Sequence, residues 1–126
     1  MKPYLWTLEL NIRPASAEPQ KIRVCGGEFE AANYMQVAGR WDFIDKQPKQ
    51  PLGHTFCNEL LSDFSKVKIS PVTDDVYGLD GTVYTLRFSA GLNSVDYCWW
   101  CDLPAAWSEL QPIIDRLLAI SEKPAI

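Results

Sequence analysis

Residues 80–118 constrain this chain most tightly, because the hydrophobic period switches there from two to about 3.6 at a single corner. Asp80-Gly81 is a turn signal ahead of TVYTLRFS, residues 82–89, in which Tyr84, Leu86 and Phe88 share one face. The short link Ala90-Gly91-Leu92-Asn93 leads into SVDYCWWC, residues 94–101, whose matching face carries Val95, Tyr97, Trp99 and Cys101. The opposite face of this hairpin carries Thr85, Arg87, Asp96, Cys98 and Trp100. Leu110, Ile113, Ile114, Leu117 and Leu118 then follow the spacing of a helix with one buried stripe. Pro104 suits a first turn, and Ser108 and Gln111 have capping-box spacing. Pro112 marks either the first turn of the main helix or a kink.

The other clean alternation is at the amino terminus. Tyr4, Trp6, Leu8, Leu10 and Ile12 fall on one face and Thr7, Glu9 and Asn11 on the other, which predicts a long, half-buried strand. Pro14 to Pro19 reads as a turn or short loop, and residues 21–25 as a second strand with Ile22 and Val24 facing inward. The pair Gly26-Gly27 permits a bend or bulge, and residues 28–37 a third strand or an irregular edge. Within residues 39–54 the run DKQPKQPLGH predicts an exposed loop. Phe56, Cys57, Leu60, Leu61 and Phe64 have helical spacing, which predicts a short amphipathic helix over residues 55–64. Residues 66–69 suggest a brief strand and residues 71–78 an acidic loop.

These elements, with no repeat or linker to divide them, predict one α+β domain over residues 1–126. A mostly antiparallel, twisted sheet would carry the first strand and the carboxy-terminal hairpin, the final helix packing on one face and the short middle helix beside it. The net charge of −4 lacks the basic stripe that phosphate backbones or anionic membranes attract. The first residues have no continuous apolar run, and no window approaches a membrane span. The expectation is a cytoplasmic protein whose four cysteines are reduced.

Several constellations could carry chemistry. Cys98-Trp99-Trp100-Cys101 has the spacing of a redox dithiol ahead of a helix. If residues 94–101 run extended, the two sulfurs point to opposite faces and cannot bond, and Asp102 would raise rather than lower a thiol pKa. The simpler reading is two small, buried or half-buried thiols without redox work. A zinc site from Cys25, Cys57, Cys98 and Cys101 lacks two close-spaced pairs. His54 and Cys57 have dyad spacing, but neither an orienting group nor an oxyanion site is marked. The carboxylates Glu28, Glu30, Asp74, Asp75 and Asp80 match neither a glycosidase pair in a marked pocket nor a calcium loop. No cofactor, metal or catalytic residue is assigned. Of the aromatic residues, Trp6, Tyr84, Tyr97 and Trp99 belong to core faces, whereas Trp41 and Trp100 are surface candidates. Trp100 could anchor a partner, lie under a helix or stack on Arg87.

The order Asp80-Gly81, strand, hairpin, Tyr97 with Trp99-Trp100, Leu103-Pro104, Trp107 and Leu110 resembles a pattern in small bacterial proteins of uncharacterised function. Some of these are immunity proteins of polymorphic-toxin or contact-dependent inhibition loci. The resemblance runs from Asp80 onward, and the chain before Pro71 has no counterpart in it. It implies an α+β fold and hints at an immunity role, but it assigns no catalytic residue. The expected function is therefore a non-catalytic protein-binding module, with neutralisation of a basic toxin domain as the role the resemblance implies and Asp74, Asp75, Asp96, Trp100 and Arg87 as the expected contact residues. The alternatives are a homodimeric structural or assembly protein and a thiol-redox protein using Cys98 and Cys101.

Overall fold

The computed structural model describes residues 5–70 and 81–122. Six strands form one antiparallel sheet: β1 (Leu5–Pro14), β2 (Gln20–Gly27), β3 (Tyr34–Ala38), β4 (Gln50–Pro51), β5 (Thr82–Ala90) and β6 (Asn93–Trp100). Their order across the sheet is β4-β3-β2-β1-β5-β6. Two helices, α1 (His54–Ser65) and α2 (Gln111–Glu122), accompany it. This is the α+β architecture that the alternating strands and the final helical stripe predict.

Register explains how one face becomes the core. Leu8 lies between Val24 and Phe88, Leu10 between Ile22 and Leu86, and Leu86 in turn opposite Tyr97. Because side chains alternate, these leucines all meet apolar neighbours on the same side of the sheet. Leu110, Ile113, Ile114 and Leu117 from the carboxy-terminal segment, and Cys57 and Leu60 from α1, close over that side and are buried. Each fully buried leucine or isoleucine contributes about 1.5–3 kcal/mol, so this layer dominates folding. Aromatic rings fill the margins. Phe88 stacks between Phe64 (centroids 4.8 Å apart) and Trp6 (6.2 Å), Tyr84 stacks on Trp99 (5.4 Å), and Trp107 meets Tyr97 edge-on.

Glycine is required at Gly26 by a close contact and at Gly91 by backbone conformation. Gly26 stands directly opposite Trp6, and a Cβ on it would lie 2.3 Å from the indole ring. The ring lies flat across the glycine, so the Gly26-Gly27 pair serves as a seat for Trp6 within a continuous strand instead of a bulge. Gly91, at φ +59°, supplies the positive φ that the two-residue β5–β6 hairpin turn requires.

Other local readings change. Residues 28–37 hold a 3-10 turn at Glu30–Ala32 before β3, so the strand is short. The proline-rich loop contains a second 3-10 turn, Ile44–Lys46, and the two-residue edge strand β4. Residues 66–69 form no strand, because Val67 and Ile69 pack against the core as irregular chain. Pro112 sits in the first turn of α2, where its missing N–H leaves no bond unmade. Gln111 donates to Asp115 (2.8 Å), four residues ahead, in place of the expected capping box with Ser108. β6 ends at Trp100, and Cys101 adopts φ +57°. Residues 94–101 therefore do not run extended throughout, and the turn at Cys101 invalidates the strand geometry used to separate the two sulfurs. Both thiols are nevertheless free, and while Cys101 is half-buried as expected, Cys98 is exposed, because it lies on the uncovered face of β6. Among the described residues no helix is long and apolar enough to cross a membrane.

Candidate functional site

With α1 and α2 on one side, the polar side of the sheet faces outward. Its central row runs straight across five strands: Gln36, Arg23, Glu9, Arg87 and Asp96 are register partners in sequence. The charges alternate along it. Arg23 Nε donates to Glu9 Oε2 at 2.9 Å, while its Nη1 donates to Asp45 in the loop beyond β3. Glu9 Oε1 accepts from Asn11 (3.3 Å) and lies 3.6 Å from Lys21 Nζ. Arg87 holds Asp96 with both Nε (2.7 Å) and Nη2 (3.0 Å). Glu9 is only 8% exposed, and its two oxygens are fully engaged, which is what lets a carboxylate lie buried here.

Proton affinities follow this geometry. Burial alone would lower Arg23, but its hydrogen bonds to Asp45 and Glu9 outweigh it and raise its pKa. The hydrogen bond from Arg87 holds Asp96 below the ordinary aspartate value, and the same bond raises Arg87.

The next row is Tyr34, Cys25, Thr7, Ser89 and Ser94. Between the two rows lies a shallow cavity of about 280 Å³ lined by Thr7, Glu9, Arg23, Cys25, Tyr34, Arg87 and Ser89. Thr7 Oγ1 lies 3.7 Å from Cys25 Sγ. A hydrogen bond with Cys25, reinforced by burial, pushes the Tyr34 phenol up from 10.0 to about 12. Since the folded value is the higher one, the neutral phenol supports the fold fully below pH 10, and that support is lost as pH rises towards 12. Absorbance titration near 295 nm should show one tyrosine ionising about two units late. Cys25→Ala should bring it back towards 10; an unchanged titration curve would show that the thiol is not responsible.

Loop residues 39–49 wall one side of this face. Ile44 is buried, Asp45 is tied to Arg23, and the side chain of Gln36 donates to the Gln47 carbonyl at 2.8 Å. Thus fastened, the loop holds Trp41 79% exposed and Phe43 71% exposed. Each ring carries a cation from its own loop, Arg40 at 4.8 Å from the Trp41 centroid and Lys46 at 5.3 Å from that of Phe43. Lys49 lies 4.6 Å over Tyr34, which joins the loop to the cavity.

The site residues expected from sequence are divided by the structure. Arg87 and Asp96 are brought together on the open face. Trp100 is four register positions away, opposite Val83, and its indole lies against Gly81. A Cβ on Gly81 would fall 2.5 Å from Trp100 Nε1. Trp100 is thus half-buried over a glycine and not stacked on Arg87, whose guanidinium is taken by Asp96. Asp74, Asp75 and Asp80 lie outside the described residues.

His54 and Cys57 have separate structural roles. The buried Asn33 accepts from the Gly27 N–H (3.1 Å), so its Nδ2 donates to His54 Nδ1 at 2.7 Å. Cys57 points its thiol at the Cys25 carbonyl, and burial raises it from 9.0 to about 11, the wrong direction for a nucleophile. Cys98 receives the Thr85 hydroxyl at 3.6 Å. Among the described residues no group of three His, Cys, Asp or Glu comes together to hold a metal ion.

No family model matches the chain, and neither a curated protein nor a solved structure matches it. Its chemistry is therefore read from its own side chains. Sequence reasoning marked Trp41 as a surface residue and the following run as exposed, but it missed Phe43, Glu9 and Arg23. Phe43 had a detectable signal, since a phenylalanine beside a proline-rich polar run has no periodic partner to place it in a core. Glu9 and Arg23 had none, because only strand register brings them together.

Proposed function

We propose that this chain is a non-catalytic protein-binding module, with neutralisation of a toxin domain as the specific role suggested by its carboxy-terminal pattern. One observation carries the reading: Trp41 and Phe43 stand exposed, two residues apart, on a loop fastened to a rigid sheet. Large rings lose their hydration on contact, and a pre-ordered loop loses little conformational freedom doing so. The shallow, charged cavity beside them suits the polar rim of an interface. Asp96, one of the acidic residues expected to meet a basic toxin domain, is by contrast neutralised by Arg87, so it contributes less to recognition than the aromatic loop and the partner surface need not be basic.

The test is co-expression with the product of a neighbouring toxin gene, followed by titration calorimetry on the purified complex. Trp41→Ala should weaken binding about thirtyfold, the loss of one interface hot spot of about 2 kcal/mol, while leaving the melting temperature unchanged. No complex and no protection would end the proposal. A homodimer is the second reading, favoured by the eight-residue strand β6 at one edge of the sheet. Light scattering over a concentration series separates the two, since a strict monomer removes the dimer.

A further inference from the structure

We propose that the loop of residues 39–49, together with the Tyr34 side of the adjoining cavity, docks an acidic segment of a partner protein. The inference rests on the protein-binding reading and specifies its chemistry. On this side of the molecule Glu9 and Asp45 are both bonded to Arg23, and Asp96 is bonded to Arg87. Arg40, Lys46 and Lys49 have no carboxylate within ion-pair distance among the described residues. Asp42 is the one carboxylate of the loop outside these pairs. The loop is therefore a net positive patch on a chain of net charge −4.

Its cations are also placed to serve more than solubility. Each lies over an aromatic ring, Arg40 on Trp41, Lys46 on Phe43 and Lys49 on Tyr34. A ring face attracts the charged head of its cation but takes no ordinary hydrogen bond from it, so N–H donors are left over for a carboxylate. The same three rings offer apolar area between the charges. A segment alternating acidic and apolar residues would match this surface, its carboxylates meeting the cations and its apolar side chains the faces of Trp41 and Phe43. Nucleic acid is the less suitable polyanion, because three uncompensated cations on an acidic protein neutralise few phosphates.

The experiment is nitrogen-15 NMR titration of the full chain with a twelve-residue peptide alternating Glu and Phe. Parallel titrations use the Lys-for-Glu peptide, oligo-dT and phosphatidylserine vesicles. The expected result is shifts confined to the Trp41 indole and to backbone amides of Tyr34 and residues 39–49, seen with the Glu peptide and weakening as salt is raised. The charge-reversal variant Lys46→Glu/Lys49→Glu should weaken that binding at least tenfold while its melting temperature stays near that of the parent. Absence of shifts, equal binding of the Lys peptide, or tighter binding of oligo-dT or vesicles would overturn the inference. Its failure is distinct from failure of the parent reading. A toxin complex sensitive to Trp41→Ala but indifferent to the charge reversal would overturn only the acidic partner, whereas no complex at all would overturn both.

Discussion

Gly26→Ala should lower the melting temperature by about 10 °C or more, a loss on the order of 3 kcal/mol. In an ordinary strand the sign would be reversed, because alanine is about 0.5–1 kcal/mol better than glycine there. Here the added methyl would lie 2.3 Å from the Trp6 ring, and Trp6 is buried and stacked on Phe88. Relief requires moving either the ring or strand β2, and both belong to the core. Because the clash is with one ring, Trp6→Phe should remove part of it. The double variant should therefore lose less stability than the two single losses combined. Calorimetric melts of the four proteins check this, and a Gly26→Ala protein that melts with the parent would refute the account.

The second large effect is expected at Glu9. Glu9→Ala removes the carboxylate between Arg23 and Lys21 and leaves a partly buried guanidinium with Asp45 as its one remaining charged partner among the described residues. Breaking a fully buried pair costs roughly 3–5 kcal/mol. Arg23 retains some solvent and one partner, so a loss of about 2 kcal/mol is expected by urea denaturation. A paired apolar replacement, Glu9→Leu with Arg23→Met, should recover most of it, since neither charge is then left alone in the sheet. If Glu9→Ala and the double variant are equally destabilised, packing and not charge governs the position.

How much of this was legible in the sequence depends on the range of the interaction. Period-two alternation located β1, β5 and β6 and assigned their inward faces, and the Leu110–Leu118 stripe located α2, because a half-buried element records its own environment residue by residue. What sequence could not supply was register. Glu9 opposite Arg87 and Gly26 opposite Trp6 arise only when the strands pair, and nothing local marks either contact. That is why the double glycine read as a bend, and why the charged row was recognised only at its Arg87–Asp96 end, where a hairpin makes the pairing local. Cys101 was misplaced for a related reason. Alternation continues through it in the letters, but the backbone turns to φ +57° once its N–H has bonded the Thr82 carbonyl. The exposed loop expected within residues 39–54 is largely exposed as far as Lys49, but the residues that pin it, Ile44 and Asp45, act through distant strands.

The position of β1 between β2 and β5 has a consequence for synthesis. As the nascent chain leaves the ribosome, β1, β2 and β3 can zip together by short connections. The far side of β1 must then stay bare until more than half of the protein has followed, because its other neighbour begins at Thr82. Throughout that interval Trp6, Leu8 and Leu10 border an unfilled seam able to capture another chain. Slow translation or heat shock would prolong the vulnerable interval, so chaperone demand should track the arrival of the carboxy-terminal hairpin.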